Sequence, residues 1–350
     1  MWGDVPTYVV VPMADGGDGT VDAFLASGAA ARTLRVRGPV GTPADATYAR
    51  DGETAIIEMA SASGLALAGD ARDARRATTY GTGELIRDAL DAGAARIVLG
   101  IGGSATTDGG AGALAALGMR FLDRAGRELE PLPHHLDALE RIDAEGLDPR
   151  LTRTPIAIAC DVDNPLLGPH GAAAVYGPQK GAAAADVTFL DGVLARFARI
   201  AVAAGRPDLR ELPGAGAAGG LGWGLATFAG AQLAPGFDLI AQARGLAAAL
   251  ATATLCMTGE GRIDEQTLRG KVVAGVARLA RRFDIPVIAF GGSVDIDAER
   301  ALAALGVVCT PIADGPQSLA QAMTRTTELM RAAASRVARL RMHAECCART

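Results

Sequence analysis

Five glycine-bearing stretches of this sequence stand out; four share a vocabulary of carboxylate, glycine and hydroxyl or lysine, and that at 214–224 offers glycine alone. They are residues 14–20, 100–112, 161–165 together with 177–181, 214–224, and 259–267. Phosphoryl transfer calls for this mixture: backbone N–H groups cradle phosphates, carboxylates hold Mg²⁺, a lysine offsets charge on the transferred group, and an acid orients or deprotonates the attacking hydroxyl. The richest stretch follows an apolar run (Ile97, Val98, Leu99) and sets Gly102, Gly103, Ser104, Thr106 and Thr107 ahead of Asp108 and an Ala/Leu helix closed by Gly118. Glycines let a backbone approach a ligand, and a helix start offers free N–H groups at a positive dipole end.

Two acid pairs have spacings that suit a shared hydrated metal: Asp161 with Asp163, and Glu260 with Asp264. Three residues stand out by rarity. Of 34 basic residues only Lys180 and Lys271 are lysines, and Asn164 is the sole asparagine. In a chain where Lys has drifted to Arg, the survivors are candidates for sites that need a compact ammonium.

Other chemistries are poorly served. No Walker-type loop and no protein-kinase signature set is present, so ATP would need a different cradle. The four histidines (His134, His135, His170, His343) and five cysteines (Cys160, Cys256, Cys309, Cys346, Cys347) lack metal-ligand spacing. The first three cysteines lie in apolar runs and are expected as buried thiols. A dinucleotide fingerprint is the rival: Gly100, Gly102 and Ala105 follow a strand, with Asp123 about 20 residues on. Against it, Asp108 would bring an anion towards a pyrophosphate. Net charge of −5 and pI near 5.5 give no reason to expect nucleic acid or an anionic membrane surface. No membrane-length apolar run or leader signal is evident, so a cytoplasmic enzyme is expected.

The elements that must position these residues read as α/β. Tyr8 to Val11 reads as a buried strand, followed by a helix from about Val21. Residues 33–59 suggest an antiparallel meander. After Pro155, apolar strands (IAIAC, TLCMT, PVIAF, VVCTPI) alternate with helices expected over 187–204, 270–283 and from 319 to about 340, which implies a parallel, doubly wound sheet. Ligands collect beyond the carboxyl ends of such strands. This suggests one α/β domain over residues 1–14 plus 151–350, with a smaller α+β domain over 15–150 inserted after the first strand.

The blocks PMADGGDGT, EMASASGLAL, TTYGTGELI, GIGGSATTDGGAG, CDVDNPLLGPHGAAAVYGPQKGA, GAGAAGGLGWGL, TGEGRIDEQTLRGK and GPQSLAQAM, in this order, resemble bacterial glycerate kinases of the type-1 family. The resemblance runs from about Tyr8 to Leu340. It implies ATP-dependent phosphorylation of D-glycerate to a phosphoglycerate, leaning to the 2-position. It also implies a flavodoxin-like domain with an insertion similar to a restriction-endonuclease fold. Family members open with a further strand and a DSFKGS-like loop; this sequence starts at what resembles the second strand. A truncated relative that binds without turnover is therefore one alternative, and an NAD-dependent dehydrogenase another.

Under that resemblance MgATP would rest on the loops at 100–112 and 214–220, the latter with Gly216, Gly219 and Gly220. Asp161 and Asp163, or Glu260 and Asp264, would hold Mg²⁺. Lys180 and Asn164 are further candidates, Lys180 lying against the transferred phosphoryl group. Asp15 or Asp108 would orient the glycerate hydroxyl, and Arg262 and Lys271 are candidate cations for the glycerate carboxylate.

Overall fold

The computed structural model describes residues 7–268 and 271–347, apart from the side chains of 341–347. The chain divides into two compact units, Pro12–Ile240 and Ala241–Thr350 with Met1–Val11.

The larger unit is built on a six-stranded sheet. In chain order its strands are β1 (Ala30–Arg37), β2 (Pro43–Asp51), β3 (Thr54–Glu58) and β4 (Arg96–Gly100); after a separate two-stranded ribbon of β5 (Arg120–Leu122) and β6 (Arg141–Asp143) come β7 (Ile156–Ala159) and β8 (Gln232–Ala234). The spatial order is β1-β2-β3-β4-β7-β8. The first three strands form the expected meander, while β3, β4, β7 and β8 run parallel. The continuous apolar runs at Ile97–Leu99 and Ile156–Ala159 suit strands buried on both faces. Parallel pairing sets the carboxyl ends of four strands side by side, at Glu58, Gly100, Ala159 and Ala234.

Helix Ala184–Ala203 buries Leu190, Val193, Leu194 and Phe197 along one face. The Phe197 ring meets Phe121 and Trp223 edge-on, with centroids 5.3 and 4.9 Å apart. Burying each such side chain stabilises the fold by about 1.5–3 kcal/mol. Elsewhere small residues let backbones nearly touch: a Cβ at Gly83 would lie 2.4 Å from the carbonyl oxygen of Ala113.

The second unit carries a parallel three-stranded sheet, ordered β11-β10-β9, from β9 (Cys256–Ile263), β10 (Val287–Val294) and β11 (Val307–Pro311). Helix Thr326–Cys347 seats Leu329 and Ala333 against Phe290 and Ile312. Among the described residues, no helix is long and apolar enough to cross a membrane.

Several expectations are corrected. Tyr8 to Val11 is not a strand: paired with no strand among the described residues, Tyr8, Val9 and Val10 stand exposed. The boundary expected near residue 150 does not coincide with the units, because β7 pairs with β4 from Ile97↔Ile156 onward and so belongs to the larger one. Both β9 and β10 run longer than expected, so Glu260 and Arg262 are strand residues paired with Gly291 and Ser293. The terminal helix is two helices, because Arg325 leaves the helical backbone after the Ser318/Gln321 capping box and Leu319–Thr324. Cys309 is buried as expected, but Cys160 and Cys256 are only half-buried. Gly270, the expected start of helix Val272–Arg281, lies outside the described residues, as do residues 1–6 and the side chains of His343, Cys346 and Cys347.

Candidate active site

In the larger unit the chemistry-bearing loops lie over the carboxyl ends of the parallel strands. The ADGGDG segment is threaded between them, and the strand-end glycines make room for it. A Cβ at Gly16 would lie 2.2 Å from that of Ala159, and one at Gly236 would lie 1.8 Å from the carbonyl oxygen of Asp15. Asp15, half-buried, accepts from the N–H of Gly17 at 3.2 Å. Gly102 and Gly103 are exposed beside this segment; a Cβ at either would be 3.2 Å from Gly17 Cα or Asp18 Oδ1.

Carboxylates gather around this exposed backbone. Asp161, just past β7, accepts from the N–H of Gly236 at 2.9 Å. Partial enclosure of its carboxyl raises its pKa, that bond lowers it, and the charges of Asp15 and Asp238 raise it further. Asp163 is exposed two residues on. Glu58, closing β3, accepts from the N–H of Val21 at 2.6 Å. Burial raises its pKa, with Asp18 and Asp22 adding to the shift. Among the described residues, Asp15, Asp161 and Asp163 have no ion-pair partner, and no three His, Cys, Asp or Glu side chains converge as a complete metal cage. Glu58 and Asp238 were not singled out from the sequence. Glu58 could have been found as the acid closing an apolar strand, whereas Asp238 follows a strand of only three residues.

Other expected site residues are sealed inside. Asp108 has no exposed surface and accepts from Thr79 N–H, Thr79 Oγ1, Gly110 N–H and Gly112 N–H. Burial raises its pKa against those bonds. Its place is structural, tying two helix starts together, rather than beside a glycerate hydroxyl. Lys180 is 1% exposed and donates to the Thr106 carbonyl oxygen at 2.6 Å, so its ammonium reaches backbone and not a solvent-facing phosphoryl group. Burial pushes its pKa down to about 7, with the Asp108 charge opposing. Ser104, Thr106 and Thr107 are buried too, and among the described residues the hydroxyls of the two threonines have no hydrogen-bond partner.

The 214–220 loop is likewise no open cradle. Gly216, Gly219 and Gly220 are buried; a Cβ at Gly219 would sit 2.0 Å from the Thr106 carbonyl oxygen and one at Gly216 2.2 Å from that of Pro165. Here glycine serves backbone-on-backbone packing. Asn164 braces its loop, donating to His170 O at 2.9 Å and accepting from Tyr176 Oη at 2.5 Å. Asp123, the would-be ribose acid, is engaged by Arg127 and by the N–H groups of Ala125 and Arg127 in a turn.

The second unit holds its own cluster at a strand end. Glu260 and Asp264 are linked through the buried Thr267, whose hydroxyl donates to Glu260 and accepts from Asp264 N–H. Arg262 pairs with Asp264 at 3.1 Å, with 75% of its side chain exposed, and Lys271 donates to Gln266 Oε1 at 3.2 Å. Both cations can therefore meet an anion in solvent.

Residues 3–342 match the model of the Glycerate kinase family. A glycerate kinase of Bacillus subtilis (strain 168) is 46% identical over 330 residues, covering 91% of this chain and 86% of that protein. A glycerate 2-kinase of Escherichia coli (strain K12) is 47% identical over 294 residues, covering 83% and 77%. A crystal structure from Salmonella typhimurium LT2, described there as a glycerate kinase 2, superposes with a TM-score of 0.83 at 42% identity, covering 96% of this chain and 89% of that one.

Proposed function

The chain belongs to the glycerate kinase family, and from that premise we propose that it transfers the γ-phosphoryl group of ATP to a hydroxyl of D-glycerate, with 2-phosphoglycerate as the favoured product. The observation that carries this reading is the mutually repelling carboxylates of Asp15 and Asp161, without ion-pair partners among the described residues, with the Asp15 segment packed against the exposed Gly102–Gly103 backbone. The similarity to the glycerate 2-kinase of Escherichia coli supports the 2-position.

In the reaction the glycerate hydroxyl oxygen bonds to the γ-phosphorus, the bond to ADP breaks, and the hydroxyl proton passes to a carboxylate. Asp15 orients that hydroxyl and takes the proton. The backbone at Gly102 and Gly103 receives phosphate oxygens; within the second unit, Arg262 and Lys271 are exposed cations that suit an anion. Mg²⁺ needs few protein ligands when phosphate oxygens complete its shell, and mutual repulsion among Asp15, Asp161 and Asp238 is the kind a divalent ion relieves. Asp161 and Asp163 would hold it, and it would neutralise phosphate charge. The activity is placed in the cytoplasm, on small molecules rather than nucleic acid or membrane. The flavodoxin-like description, with a restriction-endonuclease-like insertion, is a reading of the same kind, supported by the parallel strand–helix alternation over residues 256–311.

Coupled assay of ADP formation with D-glycerate, with ³¹P NMR of the product, tests the reading. Turnover is expected, falling about 100-fold or more in Asp161→Asn. Binding without turnover, or NAD reduction without ADP release, would overturn it.

A further inference from the structure

Two loops of the proposed site, the one leaving β4 and the one leaving β7, are joined by side chains that are buried at Lys180 and half-buried at Tyr176 and Asn164. The connection begins at the Thr106 carbonyl oxygen, three residues past the exposed Gly103, where the buried Lys180 ammonium donates at 2.6 Å. Lys180 stands four residues after Tyr176, and its Nζ lies 6.0 Å from the centre of that ring. The Tyr176 hydroxyl donates to Asn164 Oδ1 at 2.5 Å. Asn164 follows Asp163 directly, and its own carbonyl accepts from Gly216 N–H at 2.9 Å. From glycine backbone to acid pair, the path is continuous within the larger unit.

A fully buried ammonium is expensive, and an apolar side chain of the same length would fill the space without desolvation cost. Thr106 O is the acceptor it reaches among the described residues. Mere space-filling does not account for a buried amino group directed at a backbone carbonyl.

We propose that Lys180 is a positioning residue, whose amino group, with Tyr176 and Asn164, holds the Gly102–Gly103 backbone and the Asp161–Asp163 carboxylates in a fixed mutual geometry. This rests on the reading of those residues as the phosphoryl-transfer site, and it gives Lys180 a role without contact with substrate. Such ties act on chemistry through placement: small displacements of positioned groups cost large factors in turnover while ground-state binding changes less.

Hydrogen exchange and steady-state kinetics of the full chain, in Lys180→Met and in the milder Tyr176→Phe, test the tie. In Lys180→Met, amide exchange should rise about fivefold or more over residues 161–166, beyond the loop that loses its bond. Tyr176→Phe should do the same over residues 101–107. Both variants should lose about tenfold or more in kcat with KM for either substrate within about threefold, at temperatures where they are fully folded. Exchange changes confined to the altered loop, or a near-parental kcat, would overturn the proposal. Should Lys180→Met fail to fold, Tyr176→Phe decides alone. An inactive parental protein would count against the proposed function, while the exchange measurement still reads the tie.

Discussion

The carboxylate of Asp108 accepts twice from Thr79, from its N–H and from its hydroxyl, each at 2.8 Å. The same Thr79 oxygen accepts from the N–H of Ala113 at 2.9 Å. The first turns of helices Tyr80–Asp91 and Ala111–Ala116 are thus joined through one buried anion. An acid whose lone pairs are spent on three backbone N–H groups and one buried hydroxyl belongs to the frame of the site and not to its chemistry.

Asp108→Asn turns an all-acceptor group into one that points two donors at existing donors. We expect a loss of about 3 kcal/mol in unfolding free energy, read from urea denaturation. The fraction that remains folded should keep a near-parental kcat. Unchanged stability with abolished turnover would return Asp108 to the reaction.

Two glycines, both read as phosphate-binding in the sequence, should separate on substitution. Gly219 has φ +68° and no room beside Thr106 O, so Gly219→Ala should cost about 3 kcal/mol or more. Gly102 is exposed, with 3.2 Å to the nearest atom, so Gly102→Ala should fold within about 1 kcal/mol of the parent. Its nucleotide KM should rise about tenfold if that backbone receives phosphate. An unchanged KM would remove Gly102 from the cradle.

Lys180 titrates at about 7 in the folded chain against 10.5 in its unperturbed state. Between those values the unfolded chain binds a proton that the native one has released, so this residue makes stability rise with pH across the window. Below pH 7 both states are charged and the full cost of the buried ammonium is felt. Denaturant midpoints at pH 7 and pH 9 should therefore differ more in the parent than in Lys180→Met. An identical pH dependence in both would show that the amine is not titrating there.

Local patterns in the sequence were enough for much of the frame. Short apolar pairs between turn-rich segments over 33–59 specified the meander, and the apolar runs at 97–99 and 156–159 marked buried strands, because burial on a sheet is written in neighbouring residues. The family was legible too, since its motifs are contiguous words. What each polar residue in those words touches was not. Lys180 and Asp163 read alike as charged residues in candidate site loops, yet one is sealed against Thr106 O and the other faces solvent. Gly102 and Gly219 share a residue type, and only the chain packed around them makes one a surface and the other a spacer. The placement of β7 beside β4, which moved a boundary the sequence had put at residue 150, is a pairing between segments about 60 residues apart and leaves no local trace. Sequence thus determined which groups are available for phosphoryl chemistry. Tertiary structure decided which of them meet water, because burial and long-range pairing are properties of the packed chain and not of any stretch within it.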